Sequence, residues 1–289
     1  MQKTHPLVMV VASAPGKCIL FGEHAVVYGQ PAVAVAIDQR VSINVETHGQ
    51  PGSHWKLDGS EMVANKHPHL VGMRDRLWHN SPDTPSLDIR IDSDIPSAAG
   101  LGSSAALSVA FAAALRSARG RRIDSEGWCE GFSSEMNTNP YNQPKRGVDS
   151  GFLRNGGRRL LGKDSVDNDE CAILAHAVEA QSQKGRASPI DSSTVSHGGC
   201  TLLSDRIEKG LDWRYSRSLE TPEGKRSWEV HDISIPEDDV WLVIGNTGKY
   251  SSTSEQVAKV AKLLQNEPDK MSEIETIGSV TRRGVEALK

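Results

Sequence analysis

The chain has 289 residues, of which 37% are hydrophobic and 24% charged, with 26 glycines; this is the composition of an ordinary globular protein and excludes collagen or wholesale disorder. Its 33 basic and 37 acidic residues leave a formal charge of −4, too even a balance for a protein that coats nucleic acid or an anionic membrane.

The first predicted element is a short β-branched strand, Val8 to Ala12, ending at the Pro15-Gly16 turn. Val33 to Val45 follows, with Val41, Ile43 and Val45 alternating as in a half-buried strand, and Leu87, Ile89 and Ile91 repeat the pattern. Ala105 to Arg119 reads as an Ala-rich helix, capped by Ser103 or Ser104 and ended by Gly120. From Ser125 to about Lys163 periodicity is lost among glycines and scattered basic residues, the texture of an inserted loop. A helix resumes from Asp169 to about Gln183, with Ile173, Leu174, Ala177 and Val178 on one face. Glu208 to Lys225 is mostly polar, a linker or hairpin. Asp239 to Gly245 is a predicted strand. Thr253 to Leu264 is a helix burying Val257, Val260, Ala261 and Leu264, and a last helix carries Met271, Ile274, Ile277 and Val280.

The longest nearly apolar run, Ala105 to Leu115, falls short of the roughly 20 residues a membrane-spanning helix needs. No convincing signal peptide opens the chain, so a cytosolic protein is expected. Cys18, Cys129, Cys171 and Cys200 are widely spaced without a C-x-x-C pair, which encodes neither a zinc site nor a disulfide framework.

The stretch from Pro96 to Ala106 carries the first chemical signal. A Gly-rich turn opening into a helix offers unpaired N–H groups and a positive helix end to a phosphate. Gly100 and Gly102 allow close backbone approach, and Ser103 and Ser104 add hydroxyls for a phosphate or a hydrated Mg²⁺. No G-x-x-x-x-G-K-[ST] string occurs, so it is not a Walker A loop. Ser13-Ala14-Pro15-Gly16-Lys17 through Gly22-Glu23-His24 to Gly29 combines a cation, an acid and an imidazole. Gly185-Arg186-Ala187-Ser188-Pro189-Ile190-Asp191 leads into Gly198-Gly199, and Gly245-Asn246-Thr247-Gly248 precedes Ser251-Ser252-Thr253.

Together these four stretches closely resemble the GHMP kinase superfamily and, within it, the mevalonate kinase family of archaeal type. The resemblance implies a two-lobed α+β fold: an ATP-binding lobe over 1–202, with an insertion at 125–166, and a C-terminal lobe over 203–289. It implies ATP-dependent phosphorylation of the 5-hydroxyl of mevalonate, with ATP and mevalonate as partners, Mg²⁺ as cofactor, no nucleic acid or membrane partner, and a homodimer among its relatives. Asp191 and Lys17 take the catalytic roles. Pro96, Ala99, Gly100, Leu101, Gly102, Ser103, Ser104 and Ala105 bind the nucleotide, Ser104 and Glu179 hold Mg²⁺, and Glu23, His24 and Thr247 contact the substrate. Asp149, in an interrupted N-P…G-V-D pattern, is a decoy for Asp191.

Two departures stand beside the resemblance. The segment from Ser125 to Val166 separates two helices that the family joins almost directly. The family's third Gly-rich motif is expected after the last helix, and the sequence ends at Lys289, so the C-terminal lobe is expected to be incomplete. The competing functions are therefore another GHMP small-molecule kinase and a non-catalytic nucleotide-binding relative.

Overall fold

The computed structural model describes residues 8–51, 55–63, 65–78, 85–96, 99–119, 152–154, 168–183, 185–221, 224–235, 241–245 and 253–289. The fold is α+β, with one nine-stranded mixed sheet among these residues. Strand β1 (Met9–Phe21) runs antiparallel to β2 (Ala32–Pro51). The Pro15-Gly16 pair, expected to end the first strand, lies inside β1 instead. Between the Pro15–Arg40 and Lys17–Ala36 pairs one residue of β1 faces three of β2. Such an irregularity accommodates a proline without N–H and re-aims the chain locally, here just before Lys17.

The far edge of β2 is divided. Its first residues pair with β7 (Cys200–Ser204) and its later ones with β5 (Pro85–Ser93), both antiparallel. β3 (Trp55–Leu57) and β4 (Ser60–Glu61) continue the sheet beyond β5. The polar stretch after Glu208 is a hairpin, β8 (Asp212–Thr221) and β9 (Gly224–Ile233), which joins the same sheet through β7. β7 spans position 202, so the sheet runs without a break past that residue. Of the inserted segment only β6 (Phe152–Arg154) is described, paired with β8; 125–151 and 155–166, and with them Asp149, lie outside the described residues.

The predicted alternation is realised. Val41, Ile43 and Val45 are buried, and Ile43 and Val45 stand opposite Ile91 and Ile89. Of the helices α1 (Pro68–Leu77), α2 (Ser103–Arg119), α3 (Asn168–Ser182) and α4 (Ile190–His197), α2 and α4 pack directly on the strands, and α1 and α3 pack against α2. One apolar cluster joins α1, α2 and α3 to β2 and β5, with Trp55 edge-on to both Trp78 and Phe111. A second joins α3 to β8 and β9 through Ile173, Tyr215, Leu219 and Trp228. Helix α3 therefore serves both clusters and is buried continuously from Asp169 to Ala180, not on one face as its sequence pattern suggested.

Helices α5 (Thr253–Asn266) and α6 (Met271–Leu288) follow. Val257 is buried, with Val260, Ala261 and Leu264 half-buried beside it, as the spacing predicts. In α6 the buried seam is Ile274, Gly278, Thr281 and Val285, whereas Met271, Ile277 and Val280 face outward. The two helical glycines explain the choice. A side chain at Gly278 or Gly284 would strike Gln30 or Phe21, so the narrow side of the helix is the one that docks. The predicted strand at 239–245 does not form over its described part; Trp241–Gly245 have no regular structure and are exposed, because no strand among the described residues pairs with them. No helix among the described residues is long and apolar enough to cross a membrane. Cys18, Cys171 and Cys200 are not in disulfides, and Cys129 lies outside the described residues.

Candidate active site

A cavity of about 560 Å³ opens between the Gly-rich loop before α2, the start of α4 and the end of α3, within the size range of small-molecule sites. Gly100 and Gly102 adopt left-handed backbone, φ 75° and 74°. A Cβ on Gly102 would stand 2.8 Å from Cγ of Lys17, so the loop lies directly on the lysine stem. The Lys17 N–H donates to the Leu101 carbonyl (2.9 Å) and its Nζ to the Gly100 carbonyl (3.1 Å), which clamps β1 to the loop.

Helix α2 begins at Ser103, and the Gly102 carbonyl accepts the Ala106 N–H at 2.9 Å. Gly102 is thus the cap residue, and Ser103 and Ser104 are first-turn residues lining the cavity, not caps. Pro96, Ala99, Gly100, Leu101 and Gly102 line it too. Ala105 does not: one residue further round the helix, it packs into the first apolar cluster.

Across the cavity, Asp191 occupies the first turn of α4, where the helix end favours a carboxylate. Its Oδ1 is 3.1 Å from Lys17 Nζ. Lys17 is only 4% exposed. Burial works against its charge, but Asp191, Glu23 and Glu179 outweigh burial and hold its pKa above the ordinary lysine value.

Glu179 comes from the last turns of α3. Burial first, and the neighbouring Asp191 second, push its carboxyl up to about 8 against the opposing pull of Lys17 and Gln183. Gln183 Nε2 donates to Oε1 at 2.9 Å, while Oε2 is buried with no hydrogen-bond partner. A buried carboxylate oxygen without a hydrogen-bond partner, on a residue that lines the same cavity as the Gly-rich loop, suits a hard cation that would displace the carboxyl proton. Among the described residues no group of three or more His, Cys, Asp or Glu side chains could hold a metal alone.

Glu23 and His24 line the same cavity. His24 has φ 63°, a strained value for a non-glycine residue, immediately before the single 3-10 turn Ala25–Tyr28. Thr247 lies outside the described residues. Sequence reasoning missed His69, Gln183, Arg186 and Val257 as cavity residues. Two of them carried a local signal, Gln183 one helical turn after Glu179 and Arg186 within the stretch that leads to Asp191.

This constellation, a Gly-rich loop and helix N-terminus facing a Lys–Asp pair across one cavity, has the parts that phosphoryl transfer to a small molecule needs. Residues 69–139 match the GHMP kinases N terminal domain. A mevalonate kinase from Methanothermobacter thermautotrophicus is 32% identical over 282 residues, covering 96% of this chain and 70% of that protein. The crystal structure of L. major mevalonate kinase in complex with R-mevalonate shares the fold at TM-score 0.57 and 18% identity, covering 100% of this chain and 72% of that one. Methanococcus jannaschii mevalonate kinase does so at TM-score 0.53 and 20% identity, covering 98% and 74%. The chain belongs to the mevalonate kinase family of the GHMP kinases.

Proposed function

We propose that the chain transfers the γ-phosphoryl group of ATP to the 5-hydroxyl of (R)-mevalonate, giving 5-phosphomevalonate and ADP. The observation that carries this reading is the Lys17–Asp191 pair, 3.1 Å apart and tied to the Gly100 carbonyl of the phosphate loop. Transfer of this kind needs positioning and charge neutralisation more than covalent chemistry. The loop N–H groups and the α2 N-terminus receive the phosphates. The Asp191 carboxylate accepts the hydrogen bond of the acceptor hydroxyl and receives its proton as the O–P bond forms and the bond to the ADP oxygen breaks. Lys17 stays protonated throughout and stabilises the developing negative charge.

Glu179 and Ser104 would hold Mg²⁺, which supplies charge neutralisation at the phosphates when bound. Glu23 and His24 would bind the polar groups of the hydroxy acid. The mevalonate complex of the L. major relative supports the choice of acceptor. The test is turnover of purified protein with Mg-ATP and, in parallel, mevalonate, phosphomevalonate, homoserine and galactose. Mevalonate is expected to be the best acceptor by kcat/KM. Faster turnover of another acceptor would favour a different small-molecule kinase, and ATP binding without turnover of any would remove the reading.

A further inference from the structure

Behind the cavity lies a buried polar cluster that phosphoryl transfer does not itself require. His176 on α3 is fully buried; one ring nitrogen, Nε2, is 3.2 Å from the Ala187 carbonyl, and the other, Nδ1, is 3.2 Å from Nε of Arg217. A carbonyl only accepts and a guanidinium only donates, so the ring carries its proton on Nε2 and accepts at Nδ1. Burial, and then Arg217, hold the imidazole pKa down at about 3, so this tautomer persists at neutral pH.

Arg217 and Trp228 are cross-strand partners in the β8–β9 hairpin. The Trp228 ring stands edge-on to His176, 6.0 Å between centroids at 89°, and its Nε1–H donates to the Val26 carbonyl at 3.0 Å. Ala187 belongs to the turn that delivers Asp191, and Val26 to the turn that follows Glu23 and His24; both line the cavity. One rung of one hairpin therefore grips both turns from behind.

Burying an arginine completely is expensive, and apolar residues of similar volume would usually be at least as stable. Arg217 is 0% exposed, so its charge is better accounted for by orientation than by stability. We propose that Arg217, His176 and Trp228 are positioning residues that set the Asp191 turn and the Glu23–His24 turn in register across the cavity. The functional consequence rests on the reading of Asp191 and Glu23–His24 given above. The phosphate loop has anchors of its own in the Lys17 amide and α2 and meets the Asp191 turn only through the Lys17 ammonium, so damage to the cluster falls first on the acceptor side.

Hydrogen exchange of the full chain tests this without needing turnover. His176→Leu removes both hydrogen bonds, and is expected to speed amide exchange at least tenfold over 185–191 while α2 exchanges as in the wild type. Trp228→Phe keeps an aromatic ring but loses the indole N–H, and with it the bond to Val26, together with some buried volume; it is expected to do the same over 22–29. His176→Gln, which can donate to Ala187 and accept from Arg217, is expected to restore slow exchange. In steady state, His176→Leu is expected to lower kcat about tenfold or more, the scale of a small misplacement of reacting groups, with the KM for ATP unchanged. Folded variants with wild-type exchange in both turns would overturn the proposal; should His176→Leu not fold, Trp228→Phe and His176→Gln decide it. If the wild type turns over no acceptor yet shows this exchange pattern, the coupling stands and the kinase reading falls.

Discussion

Lys17 and Asp191 meet at 3.1 Å on the cavity wall, one from a strand that opens the chain and the other from the first turn of α4. Lys17 is held at three points: its amide on Leu101, its ammonium on the Gly100 carbonyl and Asp191. The charge pair is thus also the bolt between strand, Gly-rich loop and helix.

Lys17→Met keeps the stem and removes the charge. Turnover is expected to fall about 10²- to 10⁴-fold, the range for loss of a general-acid–base partner or an electrostatic stabiliser. Asp191 remains partly solvated, so the variant should fold; circular dichroism with steady-state kinetics separates the two effects.

The two loop glycines should respond differently to alanine. At Gly100 a Cβ meets nothing within 4 Å, so only the left-handed backbone is strained, at about 1–3 kcal/mol. At Gly102 the same strain is joined by a 2.8 Å clash with the Lys17 stem. Gly102→Ala is therefore expected to lose more turnover and more stability than Gly100→Ala, read from kcat/KM and denaturant melts.

Glu179 gives a pH signature. Its folded-state pKa is raised from 4.5 to about 8, so the folded chain binds a proton more tightly than the unfolded one. The associated stability is fully present below pH 4.5 and is lost as pH rises through 8. Glu179→Gln removes this dependence. Its Tm should match the wild type at pH 5 and exceed it at pH 9 by on the order of a few degrees, while the Mg²⁺ concentration needed for half-maximal turnover rises.

His24 holds a strained backbone in exchange for a place on the cavity wall. With ψ at −43° the residue lies outside the left-handed helical region, and glycine takes such a conformation at least strain. His24→Gly is expected to keep or slightly raise Tm while the KM for mevalonate increases about tenfold, the loss of roughly one good hydrogen bond; calorimetry and initial rates at saturating ATP measure both.

Much of this was legible in the chain because the signals were local. Val41, Ile43 and Val45 alternate and are buried; the residues from Gly100 to Ser104 form the loop, and Asp191 faces it. The misses share a cause, which is that long-range packing decides between locally equal choices. Pro15-Gly16 has the local chemistry of a turn, and only pairing along β2 makes it an irregularity inside a strand. Helix α6 docks by its glycines because Gln30 and Phe21 wait there. The polar stretch after Glu208, open between a linker and a hairpin, is the hairpin, and its buried face includes Arg217, paired with a histidine far away in sequence.

The central claim is that Asp191, beside Lys17, receives the acceptor hydroxyl. Single-turnover transfer of phosphoryl from Mg-ATP to (R)-mevalonate, followed by ³¹P NMR for wild type and Asp191→Asn, tests it most directly. The account predicts 5-phosphomevalonate and ADP from the wild type, and at least 10²-fold slower transfer by Asp191→Asn with ATP affinity retained. Transfer by Asp191→Asn at the wild-type rate would contradict it.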